Sequence, residues 1–175
     1  MPTIIRRALP QHAFLNTYRD AGAYTDCFSM DLPWEASLAD YVFAFYTSPV
    51  FKAERALLGV VLRTPARDDD ARALALAEAA SFSFWDVEQR CADQLLLRDR
   101  SGVTRSWLMA EPLENQGTRL YFGSAVVPRR RAADGTPSFG WLFHAGTAFH
   151  NKYTVALMGS ARARLQAPPA VLSRS

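Results

Sequence analysis

The chain has 175 residues, 49% of them hydrophobic and 21% charged, with a formal net charge of +3. That length suits one domain able to bury roughly 70% of the surface its unfolded chain exposes, without disulfides or metals. The basic excess is almost entirely arginine mixed with acids, so the continuous basic stripe that nucleic-acid binding needs is missing, and no run of about 18 apolar residues offers a membrane span.

In chain order, Pro10 and the residues up to Asp20 predict a short opening helix, with Gly22 just past its end. Residues 24–32 mix Tyr24, Thr25, Cys27, Phe28 and Met30 with polar neighbours, which suits a first strand stopped by Pro33. Ser37 is a good N-cap, and Asp40 three residues later completes an acidic form of the capping box. The following helix carries the stripe Leu38, Tyr41, Val42 and Phe45, and Pro49 should break it. A second helix is expected over residues 51–62. Asp68, Asp69 and Asp70 complement the macrodipole of a third, alanine-rich helix running to Ala80.

From Phe82 the hydrophobic period changes to two. Strands are expected over 82–89, 94–98, 103–113 and 118–127, separated by short Gly- and Asx-bearing loops, which is the chemistry of an antiparallel meander. Residues 128–138, rich in Pro, Arg and Gly, read as a connection, and the run Arg129-Arg130-Arg131 reads as a solvated loop. A long helix then spans 139–165, with Trp141, Leu142, Ala145, Phe149, Tyr153, Ala156 and Ser160 along one side. The fold class is therefore α+β, with an antiparallel sheet around a long C-terminal helix and two or three shorter helices after the first strand. Residues 1–166 form one domain and 167–175 a frayed tail.

Treating each hairpin connection as a four-residue loop sets Gln89 opposite Gln94, Arg98 opposite Val103 and Leu113 opposite Thr118. Trp85, Val87, Leu96, Trp107, Met109, Leu120, Phe122 and Val126 then share one face, together with Gln94, Arg98, Arg105 and Glu111. This aromatic face is expected to look at Phe149 and Tyr153 of the last helix. A slip of one residue in any hairpin would exchange that strand's faces.

Little in the chain points to a reaction. His12, His144 and His150 are the only imidazoles, and the last two stand about 120° apart around a helix, the wrong spacing for a shared metal. Cys27 and Cys91 match no zinc or redox spacing and read as lone thiols. No Gly-x-Ser-x-Gly, Gly-x-Gly-x-x-Gly or Walker sequence occurs. No cofactor, no metal and no nucleic-acid partner is therefore expected. Arg6 and Arg7 are followed by Gln11, His12, Asn16, Arg19 and Asp20 rather than an apolar segment, so the expected address is the cytoplasm.

Trp85-Asp86-Val87-Glu88, Leu95-Leu96-Leu97, Ser106-Trp107-Leu108 and the stretch from Thr118-Arg119-Leu120-Tyr121-Phe122 to Pro128 resemble a bacterial family of unknown function. That family is grouped with the START-like, pollen-allergen-like helix-grip superfamily (SRPBCC), which includes polyketide cyclases. The likeness covers roughly residues 24–165. It implies a hydrophobic cavity between the sheet and the C-terminal helix, and it assigns no reaction. The chain departs from larger members in having few strands before its helices.

Candidate ligand-binding residues are Trp85, Arg98, Arg105, Trp107, Met109, Phe122, Phe149 and Tyr153. The two arginines offer bidentate contacts to a carboxylate or enolate oxygen, unless they snorkel outward or pair with Glu111. No nucleophile–base pair is visible, so the sequence favours binding of a small hydrophobic or aromatic molecule, with or without an acidic group, over catalysis. Two alternatives remain. One is a cyclase or dehydratase in which Arg105 or Tyr153 polarises a carbonyl and Glu111 or Asp86 moves a proton. The other is a non-catalytic interaction domain presenting an apolar helix face around Phe45 and Phe51. The oligomeric state is left open.

Overall fold

Alternating side chains from residue 24 onward build an α+β fold around a seven-stranded antiparallel sheet. The computed structural model describes residues 3–53, 66–114, 116–128, 130–131, 137–138 and 141–166, with side chains for 3–53, 66–114, 116–128 and 152–166. The strands are β1 (Ile5–Arg6), β2 (Tyr24–Leu32), β3 (Ser81–Phe82), β4 (Trp85–Arg90), β5 (Gln94–Asp99), β6 (Thr104–Pro112) and β7 (Thr118–Val126). They lie in the order β1-β2-β7-β6-β5-β4-β3. The helices are α1 (Asn16–Asp20), α2 (Leu38–Tyr46), α3 (Asp68–Ala75) and the C-terminal α4 (Trp141–Gln166). In the stretch expected to be a solvated loop, β8 (Arg130–Arg131) pairs with β9 (Pro137–Ser138) in a separate two-stranded sheet.

The hairpin registers decide which side of the sheet each residue serves. Between β5 and β6, Arg98 lies opposite Arg105 rather than Val103. That is an even shift, which leaves the faces as expected. Between β6 and β7, Pro112 rather than Leu113 lies opposite Thr118, with Leu113 N donating to Gly117 O and Gln116 at φ 61°. This odd shift turns β7 over relative to β6. A bulge between Val87 and Gln89 does the same within β4: Trp85 and Val87 share the face of Leu97, Glu88 is left unpaired, and beyond it Gln89 lies opposite Leu96.

Two cores result. On one face, Phe28, Met30, Leu95, Leu97, Leu108, Leu120 and Phe122 pack under Tyr41, Val42 and Phe45 of α2, Ala71 and Leu74 of α3, and Leu157, Met158 and Ala161 of α4. On the far face, Cys27, Leu96, Trp107, Met109, Tyr121 and Ala125 pack under Ala13 and Leu15 of the N-terminal segment. The predicted common interior is thereby corrected. Trp107 and Met109 are fully buried, yet they face the N-terminal segment and not α4.

Local chemistry explains the helix limits. Ser37 caps α2 with a complete capping box, its Oγ accepting from Asp40 N while Asp40 Oδ2 accepts from Ser37 N, each at 3.1 Å. The opening helix is shorter than expected because residues 11–14 are a turn tied to the sheet rather than helical. Gln94 Nε2 donates to His12 O and Gln94 Oε1 accepts from Phe14 N. Likewise α3 stops at Ala75 instead of Ala80. Ala77 adopts the left-handed conformation at φ 61°, Glu78 N reaches back to Ala73 O, and Ala77 N reaches Leu74 O, the pattern of a Schellman cap. Arg90 of β4 completes the cap, its guanidinium donating to Leu74 O and Ala75 O.

Phe45 and Phe51 are 1% and 5% exposed, so the apolar helix face expected to be open for docking lies inside the core. Tyr41 is fully buried in the same core, and among the described residues its hydroxyl finds no hydrogen-bond partner. Burial pushes the Tyr41 phenol well up, so it stays neutral. Removing an orphaned buried hydroxyl relieves its desolvation cost. Tyr41→Phe is therefore expected to leave stability unchanged or raise it by about 1 kcal/mol, read as the urea midpoint.

The two cysteines are free, Cys27 buried and Cys91 exposed. Burial, with the Asp26 charge adding to it, pushes the Cys27 thiol up to about 12. Folding thus holds Cys27 protonated. The stability this contributes is whole below the ordinary thiol value of 9.0 and is lost as pH climbs from there toward about 12. One thiol, Cys91, is expected to react with a water-soluble disulfide reagent in the folded protein, and both in denaturant.

Candidate functional site: a cavity between the sheet and the C-terminal helix

Cross-strand partners share a face, so Thr104 with Val126, Ser106 with Ser124 and Leu108 with Phe122 all look toward α4. A cavity of about 310 Å³ opens on this face. That size is at the lower end of small-molecule sites, about 300–1,000 Å³. Its floor is Thr104, Ser106, Phe122, Ser124 and Val126 from β6 and β7. Phe84 and Trp85 border it beside β4, Phe45, Tyr46 and Phe51 come from α2 and the helical turn after it, and Tyr153 and Leu157 descend from α4. The aromatic wall is ordered: Phe45 stacks on Phe122 at 5.0 Å between centroids, and Tyr46 meets Phe51 edge-on at 4.8 Å.

A polar row crosses this floor. Asp26 of β2 lies opposite Ser124 of β7, which lies opposite Ser106 of β6. Asp26 is 3% exposed, and its Oδ1 accepts from both Ser124 N and Ser124 Oγ at 2.8 Å. Ser106 Oγ stands 3.3 Å from Tyr46 Oη. The Asp26 charge is felt by its neighbours. Burial pushes the Tyr24 phenol up, and the Asp26 carboxylate adds to that shift.

Of the residues singled out in the sequence, Trp85, Phe122 and Tyr153 border the cavity. Phe149 lies in α4, outside the described side chains. Arg98, Arg105, Trp107 and Met109 belong to the far face. Arg98 is exposed there. Arg105 borders the cavity through its main chain, but the pleat carries its guanidinium to the far side. There Nε lies 2.6 Å from Glu88 Oε2 and 2.9 Å from Tyr18 Oη, Nη1 donates to Gly102 O at 2.8 Å, and the group covers the Tyr18 ring at 4.6 Å. Tyr18 Oη also donates to Glu88, so these three side chains latch α1 onto the sheet.

The groups considered for proton chemistry fare similarly. Glu111 accepts from Tyr121 Oη at 2.8 Å on the far face. Asp86, opposite Arg98, lies 3.9 Å from Arg100. Only Tyr153 of that set, apart from the Arg105 main chain, touches the cavity. Sequence reasoning missed Ser106, Ser124, Tyr46 and Asp26. A signal for Asp26 was present, because period two aligns it with Phe28 and Met30, an acid in register with a core face.

Among the described residues, no group of three or more His, Cys, Asp or Glu is placed to hold a metal, and no helix is long and apolar enough to cross a membrane.

No protein-family model matches the chain, and no curated protein matches it. Among solved structures, the chain is similar to the crystal structure of CalU16 from Micromonospora echinospora over 95% of this chain and 94% of that one, at 14% identity and a TM-score of 0.34. A likeness at that level assigns neither family nor ligand, and the α+β description stands on the chain's own sheet and helices.

Proposed function

We propose that the protein is a helix-grip domain that holds a small, predominantly apolar molecule between its sheet and α4 without turning it over. The observation that carries this reading is the cavity of about 310 Å³, walled by aromatic rings and floored by three hydroxyl side chains, set against the buried core. Aromatic rings ordered by their own contacts supply contact area at small entropic cost, and a few hydroxyls fix orientation. Binding is favoured over catalysis because Arg105, Glu111 and Asp86 lie away from the floor.

The test is native mass spectrometry of freshly purified protein, followed by a thermal-shift screen of aromatic and aliphatic compounds of up to about 15 non-hydrogen atoms, sized to the low end of the pocket range. A ligand at about 100 times its Kd should raise the Tm by roughly 5–10 °C. Absence of both a retained molecule and any shift contradicts the reading.

A further inference from the structure

The charges around the cavity narrow its ligand further. A carboxylate entering an apolar site loses its water and needs a cation or several donors in exchange. Among the described residues that border the cavity, Arg105 alone is cationic, and its guanidinium is held on the opposite side of the sheet by Glu88, Tyr18 and Gly102 O. Beside the floor, on the neighbouring strand, buried Asp26 already receives the Ser124 hydroxyl and amide. Next along the row, the Ser106 and Tyr46 hydroxyls form a neutral pair. A hydroxyl rotates to donate or accept as its partner requires, so this end suits an uncharged oxygen.

Resting on the binding reading above, we propose that the cavity selects uncharged aromatic molecules carrying one hydrogen-bonding oxygen, seats that oxygen at Ser106, and rejects their carboxylate analogues. Three probes of nearly one shape test it: 2-acetonaphthone, 2-naphthoate and 2-isopropenylnaphthalene, titrated calorimetrically at neutral pH. The ketone is expected to bind at least about tenfold more tightly than the carboxylate, because the described lining offers no cation or row of donors to replace the water a carboxylate loses. It should bind about fivefold more tightly than the hydrocarbon, one hydrogen bond's worth. In Ser106→Ala the hydrocarbon's affinity should hold, showing an intact cavity, while the ketone's advantage over it disappears. Carboxylate binding equal to or tighter than the ketone's overturns the selection for neutral ligands and leaves the binding reading standing. A ketone advantage that survives in Ser106→Ala overturns the seat at Ser106. Failure of all three probes to bind overturns both the inference and the reading beneath it.

Discussion

Gln94→Leu is expected to destabilise the protein by about 2–4 kcal/mol, because one amide serves three buried or half-buried groups. Gln94 is 3% exposed. Its Oε1 accepts from Trp107 Nε1 at 2.9 Å and from Phe14 N at 3.1 Å, while its Nε2 donates to His12 O at 3.0 Å. Leucine fills similar volume and leaves all three without partners. Trp107 is the most costly of them, since its ring is fully buried and its N–H has no route to water. The urea midpoint should fall with the slope of the transition unchanged, and the Phe14 amide should exchange with solvent much faster. A loss under about 1 kcal/mol would mean that the N-terminal segment is held chiefly by its apolar contacts.

Gly123→Ala, a single added methyl, is expected to cost about 2–3 kcal/mol, the upper range for overpacking. Gly123 sits opposite Trp107 on one side and Cys27 on the other. A Cβ there would stand 2.7 Å from Asp26 O, 2.8 Å from Leu15 Cδ1 and 3.0 Å from Trp107 Cε3. The leucine end can rotate away, but the Asp26 carbonyl belongs to a paired strand and the indole is locked by Gln94. Glycine is required by close approach, not by an unusual backbone angle. Pairing Gly123→Ala with Leu15→Ala should recover part of the clash energy and leave the backbone part, a non-additivity measurable in a double-mutant cycle. A Gly123→Ala protein as stable as the parent would show that strands β2 and β7 separate easily at this point.

How much was legible follows a physical pattern. Period-two alternation located β5, β6 and β7 and, as one strand rather than two, β3 and β4, and the first strand was expected over the residues that form β2, because each signal is local; the two-residue strands β1, β8 and β9 are too short to carry such a signal. The capping of α2 was legible for the same reason: Ser37 and Asp40 make their bonds within one turn. The pairing of β2 with β7 was not legible, since it joins residues about a hundred apart in the chain. The sides of the sheet were only partly legible, because register has to be guessed from loop length. An error of two residues, as between Arg98 and Arg105, changes nothing. An error of one, as between Pro112 and Thr118, moved Phe122 and Leu120 away from Trp107.

The same slip carried the candidate site with it. Arg105 and Trp107 look attractive in the sequence because aromatic and cationic residues suggest a pocket, but they are the buried anchor of an N-terminal covering segment. The cavity's polar residues are serines, a threonine and tyrosines, too common to stand out without coordinates.

The Trp107 side of the sheet is closed by the N-terminal segment, so the proposed ligand belongs on the α4 side. Isotope-filtered nuclear Overhauser spectroscopy of the 2-acetonaphthone complex tests it most directly. Cross-peaks from the ligand to the rings of Phe122 and Tyr153, with none to the Trp107 indole, are predicted; cross-peaks to Trp107 with Phe122 silent would contradict the account.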